Sequence, residues 1–483
     1  MRLRTYSDAV KALNTLQSNF ATVEAIRKSG NRKNVKTLLE MYEWTRRMGY
    51  KEEEFDKLNI IHVTGTKGKG STCSFVESII SQYKDGKRIS KIGLYTSPHL
   101  KSVRERIVIN GKSISEELFT KYFFEVWDRL STTESDLNEF PELGTGVKPL
   151  YFKYLTLLSF HIFMKEGVNT AIYEVGVGGE LDSTNIIHCP TACGISSLGI
   201  DHTFMLGNTI EEIAWNKAGI FKKGTSAFTV PQVPEAIKVI IDRAKEKEVK
   251  SFQIIEPRSD LKEIKLGIPG IFQIGNASLA CALASAHLTK LGFENVDIST
   301  TLPAEFIKGL EETTLMGRCQ LIKEGDNINW YIDGAHTKES VKVSANWFKS
   351  VSKRNKRVLM FNQQTRDYET LIKILYNNVY PDITFDHVIF TTNVTWSSGD
   401  YSADLVSMNT NKDSVDKLEV QKNLAEIWNE LDKNSRKHIF HDIQTSVNFT
   451  RSLEGPIDVF VCGSLHLVGG FLVVLDGDNK LQA

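Results

Sequence analysis

Residues 59–80, NIIHVTGTKGKGSTCSFVESII, constrain this chain more than any other stretch. A β-branched run (Ile60, Ile61, Val63) ends in Gly65-Thr66-Lys67-Gly68-Lys69-Gly70-Ser71. Apolar residues then recur at helical spacing: Cys73, Phe75, Val76, Ile79 and Ile80. Strand, glycine loop and helix in that order are the setting of a phosphate-binding loop. Glycines let backbone N–H groups approach phosphate oxygens, the helix N-terminus adds its dipole, and a lysine supplies mobile charge. The spacing departs from the common G-x4-G-K-[ST], because Gly70 stands between Lys69 and Ser71. A plain glycine turn with incidental lysines is the competing reading. The coincidence of three glycines, two lysines and both flanking elements argues against it.

A chain of 483 residues has room for about two or three domains, each with a sizeable core. Lys+Arg and Asp+Glu both number 59, so no net field draws nucleic acid or an acidic membrane. Hydrophobic content of 41% is that of an ordinary soluble protein. The cysteines (Cys73, Cys189, Cys193, Cys281, Cys319, Cys462) are scattered, and Cys189 and Cys193 lack the Cys-x-x-Cys spacing of a metal or redox pair. They read as reduced thiols. No apolar run approaches membrane-spanning length, and Met1-Arg-Leu-Arg begins no signal peptide. The expectation is a cytoplasmic protein, with a mitochondrial form as the alternative, no stable membrane association and no nucleic-acid partner.

Further strand ends fall where open α/β sheets bind ligands. A strand at 91–95 ends in Thr96-Ser97-Pro98, which alone is as readily a plain turn. A strand at 171–175 carries Glu174, a carboxylate costly to bury unless paired or bound to a cation. An ion pair with an arginine is its structural alternative. The segment that follows, Gly176-Val177-Gly178-Gly179-Glu180-Leu181-Asp182-Ser183-Thr184-Asn185, frees the backbone to bend around a ligand. A strand at 194–198 leads to Asp201-His202. A lone histidine is more often a satisfied core residue, but beside Glu174 and Ser71 it suggests a hard-cation site. Thr209-Ile210-Glu211-Glu212 reads as a capping box opening a short helix that carries Lys217. On its own, Lys217 reads as a snorkelling lysine whose charge suits a helix C-terminus.

Elsewhere, helical spacing marks 5–21, 35–48, 116–130, 151–164 and 276–291, and Asn110-Gly111 marks a hairpin. The polar, glycine-bearing stretch 131–149 is the best candidate for a mobile surface loop. Beyond about residue 318, strands at 330–332, 358–361, 387–392 and 458–462 alternate with helices at 338–350, 369–378 and 414–431. That alternation predicts a parallel, doubly wound sheet with right-handed crossovers.

A series of motifs resembles the folylpolyglutamate synthases of eukaryotic type, in the family that also includes bacterial dihydrofolate synthases and the Mur peptide ligases. The residues are HVTGTKGKGS (62–71), GLYTSPHL (93–100), VRERI (103–107), YEVGVGGELDSTNII (173–187), SSLGIDHTFMLG (196–207) and IAWNKAGIFK (213–222). The series continues with GRCQ (317–320), WYIDGAHTKES (330–340), FNQQTRD (361–367) and GSLHLVGG (463–470), spanning nearly the whole chain.

The resemblance implies an α/β protein: an N-terminal P-loop ATPase-type domain with a parallel-rich sheet, plus a smaller C-terminal Rossmann-like domain. Residues 1–310 would bind ATP and folate, 311–317 would join the domains, and 318–483 would contribute to the glutamate and ATP sites. It implies an ATP-dependent ligase that adds L-glutamate to the γ-carboxyl of a reduced folate through an acyl phosphate. The alternatives are dihydrofolate synthase activity and, from another class, a nucleotide-gated binding module. Implied ATP contacts are Gly65, Thr66, Lys67, Gly68, Lys69, Gly70, Ser71, Asn276, Arg318 and Asp333. Ser97, Glu174 and His202 would hold Mg²⁺, with K⁺ as an optional monovalent cation. Lys69 would be the phosphate lysine, Lys217 would be carbamylated, and His336 would lie near the incoming glutamate. The protein would act as a monomer. Two departures stand out: many relatives have Gly-Asp-Arg-Asp where this chain has 363–367, and bacterial members commonly have asparagine at Lys67. The pterin pocket varies across the family and is not implied residue by residue.

Overall fold

A computed structural model describes residues 3–18, 36–364, 367–399, 403–405, 415 and 417–481. The chain divides into two compact units, Met1–Pro98 with Arg104–Thr314, and His99–Val103 with Leu315–Ala483. No helix among the described residues is long and apolar enough to cross a membrane.

The first unit is built on eight strands: β1 (Ile60–Thr64), β2 (Ile92–Tyr95), β3 (Ile107–Ile109), β4 (Lys112–Ser113), β5 (Thr170–Glu174), β6 (Ala192–Ile195), β7 (Ser226–Thr229) and β8 (Ser251–Ile254). Their order is β4-β3-β2-β5-β1-β6-β7-β8. The pairings from β2 through β8 are parallel, and the β2–β3–β4 hairpin edge is antiparallel. Every residue of β1, β5 and β6 is buried, as parallel strands covered on both faces require. The register pairs His62 with Tyr173 and Val63 with both Glu174 and Gly194, so these two sets point to opposite faces. Tyr173 stacks on Phe160 of the helix Tyr151–Glu166, with centroids 4.5 Å apart. On the other face, a Cβ at Gly194 would come within 2.8 Å of Leu283 in the helix Gln273–Lys290. Glu174 shares that second face, and the carboxyl ends of β1, β2, β5 and β6 share one edge.

The helix that precedes the loop expected at 131–149 runs on to Thr132, so the loop begins at residue 133, and Arg47 pins it. Arg47 donates to the carbonyls of Leu143, Leu130 and Thr133 at 3.1, 2.8 and 2.6 Å.

The second unit has six strands: β9 (Gln320–Glu324), β10 (Ile328–Asp333), β11 (Lys356–Phe361), β12 (His387–Phe390), β13 (Arg436–Ile439) and β14 (Ile457–Cys462). The order is β13-β12-β11-β14-β10-β9, parallel except for β9. Alternate strand residues feed two cores. Tyr331, Leu359, Val388 and Phe460 pack with Phe348, Leu375 and Trp428. Trp330, Val358, Ile389 and Val459 pack with Val447 and Phe471. This is the doubly wound sheet the alternation predicts. The sequence reading misses edge strands β9 and β13, the helix Ile443–Arg451 and the terminal helix Leu465–Leu481. The expected helix at 414–431 is described from Glu419 to Leu431. Part of its start, and residues 365 and 366 of the departing loop, lie outside the described residues.

Candidate active site

The phosphate loop leaves β1 and is fastened to the end of β6. Thr66 N–H and Lys67 N–H both donate to the Ser197 carbonyl, at 2.9 and 3.0 Å. The Ser196 hydroxyl donates to the Lys67 carbonyl at 2.7 Å. That leaves the amides that open the helix Lys69–Ser81, which lack intrahelical acceptors, to meet an anion. Gly68 caps this helix at φ +85°, and a Cβ there would fall 2.1 Å from Asn276 Oδ1. Only glycine fits, both for its backbone angle and for the space. Asn276 Nδ2 donates to Gln273 Oε1 at 2.8 Å, and Gln273 Nε2 donates to the Ser71 hydroxyl at 3.2 Å. The structure thus joins Asn276 to the loop through Gln273, a residue one helical turn earlier that sequence reasoning passes over. Lys69 Nζ folds back to donate to the Gly65 carbonyl at 3.1 Å.

Glu174 ends β5 with 3% of its surface exposed, and its Oε2 accepts the Ser97 N–H at 2.9 Å. Its two oxygens lie 3.8 and 3.9 Å from the position of a Cβ on Gly70, so the carboxylate faces the phosphate loop. A buried anion facing a glycine loop at a helix N-terminus suits a hard divalent cation, and Ser97, whose N–H it accepts, carries a hydroxyl. His202 is exposed, at φ +50°, on the loop after β6, with β1 between its strand and β5. Its N–H donates to Asp201 Oδ1 at 2.8 Å, and Asp201 pairs with Lys67 at 3.8 Å. Among the described residues no three His, Cys, Asp or Glu side chains group tightly enough to hold a metal by themselves. Oxygens from Ser97 and from phosphate would have to complete the shell.

Lys217 is 4% exposed, which removes the snorkelling reading. Its Nζ donates to the Gly65 carbonyl at 2.8 Å. Burial pushes its amine pKa well below the usual lysine range, with Lys69 and Lys67 adding to the shift and Asp201 and Asp182 opposing it.

A second network underlies this edge. The Thr184 hydroxyl donates to Asp182 Oδ1 at 2.7 Å, so its contact with His62 Nε2 at 2.8 Å requires the imidazole to donate. Asp182 also accepts the Val177 N–H at 3.1 Å and the Thr184 N–H at 3.0 Å. The network closes the glycine segment into a fixed loop. The only sequence signal for it is a histidine inside an otherwise apolar strand.

In the second unit, Asp333 ends β10 and bridges two segments. Oδ2 accepts the Cys319 N–H at 2.8 Å and Oδ1 the Ala335 N–H at 2.9 Å. Burial raises its carboxyl pKa, and the nearby Arg318 guanidinium opposes that rise. Arg318 Nη1 passes 3.0 Å from where a Cβ on Gly334 would stand. His336 Nδ1 contacts the Gly334 carbonyl at 2.8 Å. A carbonyl only accepts, so Nδ1 carries a proton. Gln363 Nε2 donates to the Gly463 carbonyl at 2.8 Å, tying the departing loop to the end of β14.

Over 482 aligned residues the chain is 56% identical to a protein of Saccharomyces cerevisiae named folylpolyglutamate synthase, covering 98% of this chain and 87% of the relative. The chain belongs to the folylpolyglutamate synthase family. Residues 319–474 match the family described as Dihydrofolate synthetase, C-terminal domain. Solved folylpolyglutamate synthase structures share the fold. The Mycobacterium tuberculosis enzyme complexed with ADP superposes with a TM-score of 0.71 at 21% identity, over 97% of this chain and 99% of that one. Escherichia coli FolC in complex with DHPP and ADP gives 0.66 at 23%, over 96% and 99%. The folylpolyglutamate synthase fold therefore accounts for both sheets.

Proposed function

We propose that this chain is an ATP-dependent ligase that joins L-glutamate to the γ-carboxyl of a reduced folate through an acyl phosphate. The observation that carries this reading is the 56% identity over nearly the whole chain to a folylpolyglutamate synthase. A carboxylate is a poor acyl donor because its leaving oxygen is too basic. Moving the ATP γ-phosphoryl group onto it makes a good leaving group, which the glutamate amine displaces as phosphate. Such transfer depends mostly on positioning and charge neutralisation. The amides opening the helix Lys69–Ser81 would hold the phosphates, and Lys69 would turn from the Gly65 carbonyl to the transferring group. Asn276 and Gln273 would brace the loop. Ser97, Glu174 and His202 would hold Mg²⁺, which when bound neutralises phosphate charge. K⁺ remains an optional second cation.

Lys217 is assigned a carbamate, formed when its neutral amine takes up CO₂ and releases a proton. The depressed amine pKa supports this, since desolvation exposes the neutral, nucleophilic form. In the second unit, Arg318 would bind an anion, Asp333 would keep the Cys319 and Ala335 turns in place, and His336 Nε2 would accept from the ammonium of glutamate. The six cysteines are free, in keeping with a reducing compartment such as the cytosol.

The match of residues 319–474 to the dihydrofolate synthetase C-terminal family favours one rival, ligation of glutamate to dihydropteroate. ADP release with tetrahydrofolate plus glutamate, set beside dihydropteroate plus glutamate, separates the two. The proposal expects turnover with the first pair. Turnover with dihydropteroate alone assigns the rival activity.

A further inference from the structure

The glycine segment after β5 is fastened to the Lys217 helix by a grip that the phosphate contacts do not need. Glu180 N–H donates to the Asn216 carbonyl at 2.7 Å. Asn185 Nδ2 bridges the Glu180 and Gly219 carbonyls at 2.9 and 3.2 Å. Two missing side chains allow this approach. A Cβ on Gly179 would lie 2.6 Å from the Asn216 carbonyl oxygen and 2.7 Å from that of Lys217, and one on Gly219 would lie 2.5 Å from Glu180 Cα.

The Glu180 carboxylate then reaches the helix Pro234–Glu246, where it accepts from Arg243, and from Lys247 just beyond the helix at 3.2 Å. Arg243 is only 4% exposed, and its other arm holds Glu246 at 2.7 Å. Its guanidinium carbon lies 4.3 Å from the ring centroid of Trp215, a residue of the Lys217 helix. The pair therefore meets that helix twice, through the backbone of Asn216 and the ring of Trp215, the two residues before Lys217. An exposed ion pair contributes little. A buried guanidinium stacked on an aromatic ring holds its geometry far better.

We propose that Glu180 and Arg243 are positioning residues for the ligation, fixing the last turn of the helix Ile210–Ala218 so that the Lys217 amine stays against the phosphate loop. The proposal rests on the reading of Lys217 as a group of the active site. The contact to be held is the 2.8 Å hydrogen bond to the Gly65 carbonyl, and displacement of about 1 Å in such a site can cost on the order of a hundredfold in rate.

The test compares full-length Glu180→Gln, Arg243→Lys and Lys217→Met. Glu180→Gln is expected to lower kcat roughly ten- to a hundredfold. KM for ATP should stay within about threefold, because the loop amides and Lys69 are untouched. Arg243→Lys keeps a buried cation without the stacked fork, and its kcat should fall between those of the parent and Glu180→Gln. In the Lys217→Met background, Glu180→Gln should add less than about threefold, as residues acting through one group are not additive. Apart from activity, Lys217 should label faster with an amine-acylating reagent in Glu180→Gln than in the parent, read by peptide mass spectrometry. Parental kcat and parental Lys217 labelling in Glu180→Gln and Arg243→Lys overturn the proposal, and so does an equal loss in the Lys217→Met background. If Glu180→Gln does not fold, Arg243→Lys decides by the same criteria. A Lys217→Met enzyme with parental kcat overturns the reading of Lys217 and the positioning role together. Parental Glu180→Gln beside inactive Lys217→Met removes the positioning role alone.

Discussion

Lys217 and Lys69 donate to the same acceptor, the Gly65 carbonyl, at 2.8 and 3.1 Å. Burial pushes the Lys217 amine pKa well below the usual lysine range, and the neighbouring Lys69 adds to the shift. The loop thus sets a second lysine beside an amine poised to be neutral. Lys217→Ala is expected to lose most ligation activity. Added acetate or propionate should restore part of it by supplying the missing carboxylate oxygens. ADP release with and without the acid measures this, and full activity in the alanine variant speaks for a structural lysine.

Gly68 offers a test confined to the loop. Alanine there must adopt φ +85° and displace the Asn276 amide, which would stand 2.1 Å from the new Cβ. The backbone part costs roughly 1–2 kcal/mol. Gly68→Ala should fold but bind ADP at least about tenfold more weakly. Gly86→Ala is the control, with φ +72° and nothing within 4 Å of the added carbon. It should leave ADP affinity unchanged. Calorimetric titration of both variants decides whether the Asn276 contact, or left-handed strain alone, is at issue.

The strands legible in the sequence are those whose apolar pattern is strong. The central strands β1, β5 and β14 are buried at every position, and their apolar runs announce them. The capping box at Thr209 and Glu212 forms as written, with the Thr209 hydroxyl accepting the Glu212 N–H at 3.2 Å. The edge strands β9 (QLIKE) and β13 (RKHI) are half exposed and charged. That is how edges are protected from unwanted pairing, and it erases their signal. Within the site, Lys217 could not be judged from its neighbours. A lysine in an apolar helix is compatible with snorkelling or with burial, and only the chain's path past Gly65 distinguishes them. Glu180 and Arg243 are 63 residues apart, beyond the reach of any local pattern.

Glu174 should separate metal binding from folding. Glu174→Gln keeps the acceptor for the Ser97 N–H, 2.9 Å away, but removes the charge. Its melting temperature should stay within a few degrees of the parent, while the Mg²⁺ concentration for half-maximal ADP release rises roughly tenfold or more. An unchanged Mg²⁺ requirement in a destabilised variant marks Glu174 as a core residue.

Two fully buried histidines give stability a pH dependence. Burial pushes the pKa of His62 and of His287 down to about 3. Both are neutral in either state above their ordinary pKa of about 6.5. As pH falls below that, the unfolded chain binds protons that the folded chain refuses, so stability drops until the folded values are reached. Each adds a slope of about 1.4 kcal/mol per pH unit. Urea unfolding at intervals from pH 7 to 4.5 should show this. His287→Gln, which loses the 2.8 Å contact with the Thr191 hydroxyl, should be less stable at pH 7 and show a shallower slope. A slope identical to the parent's excludes His287 as a source.

The most direct measurement follows oxygen through the reaction. Tetrahydrofolate labelled with ¹⁸O in its γ-carboxyl is incubated with ATP, Mg²⁺ and L-glutamate, and the released inorganic phosphate is analysed by mass spectrometry. If the folate carboxylate takes the γ-phosphoryl group, one labelled oxygen leaves with each phosphate as the amide forms. Ligation that proceeds with unlabelled phosphate would contradict an acyl-phosphate mechanism.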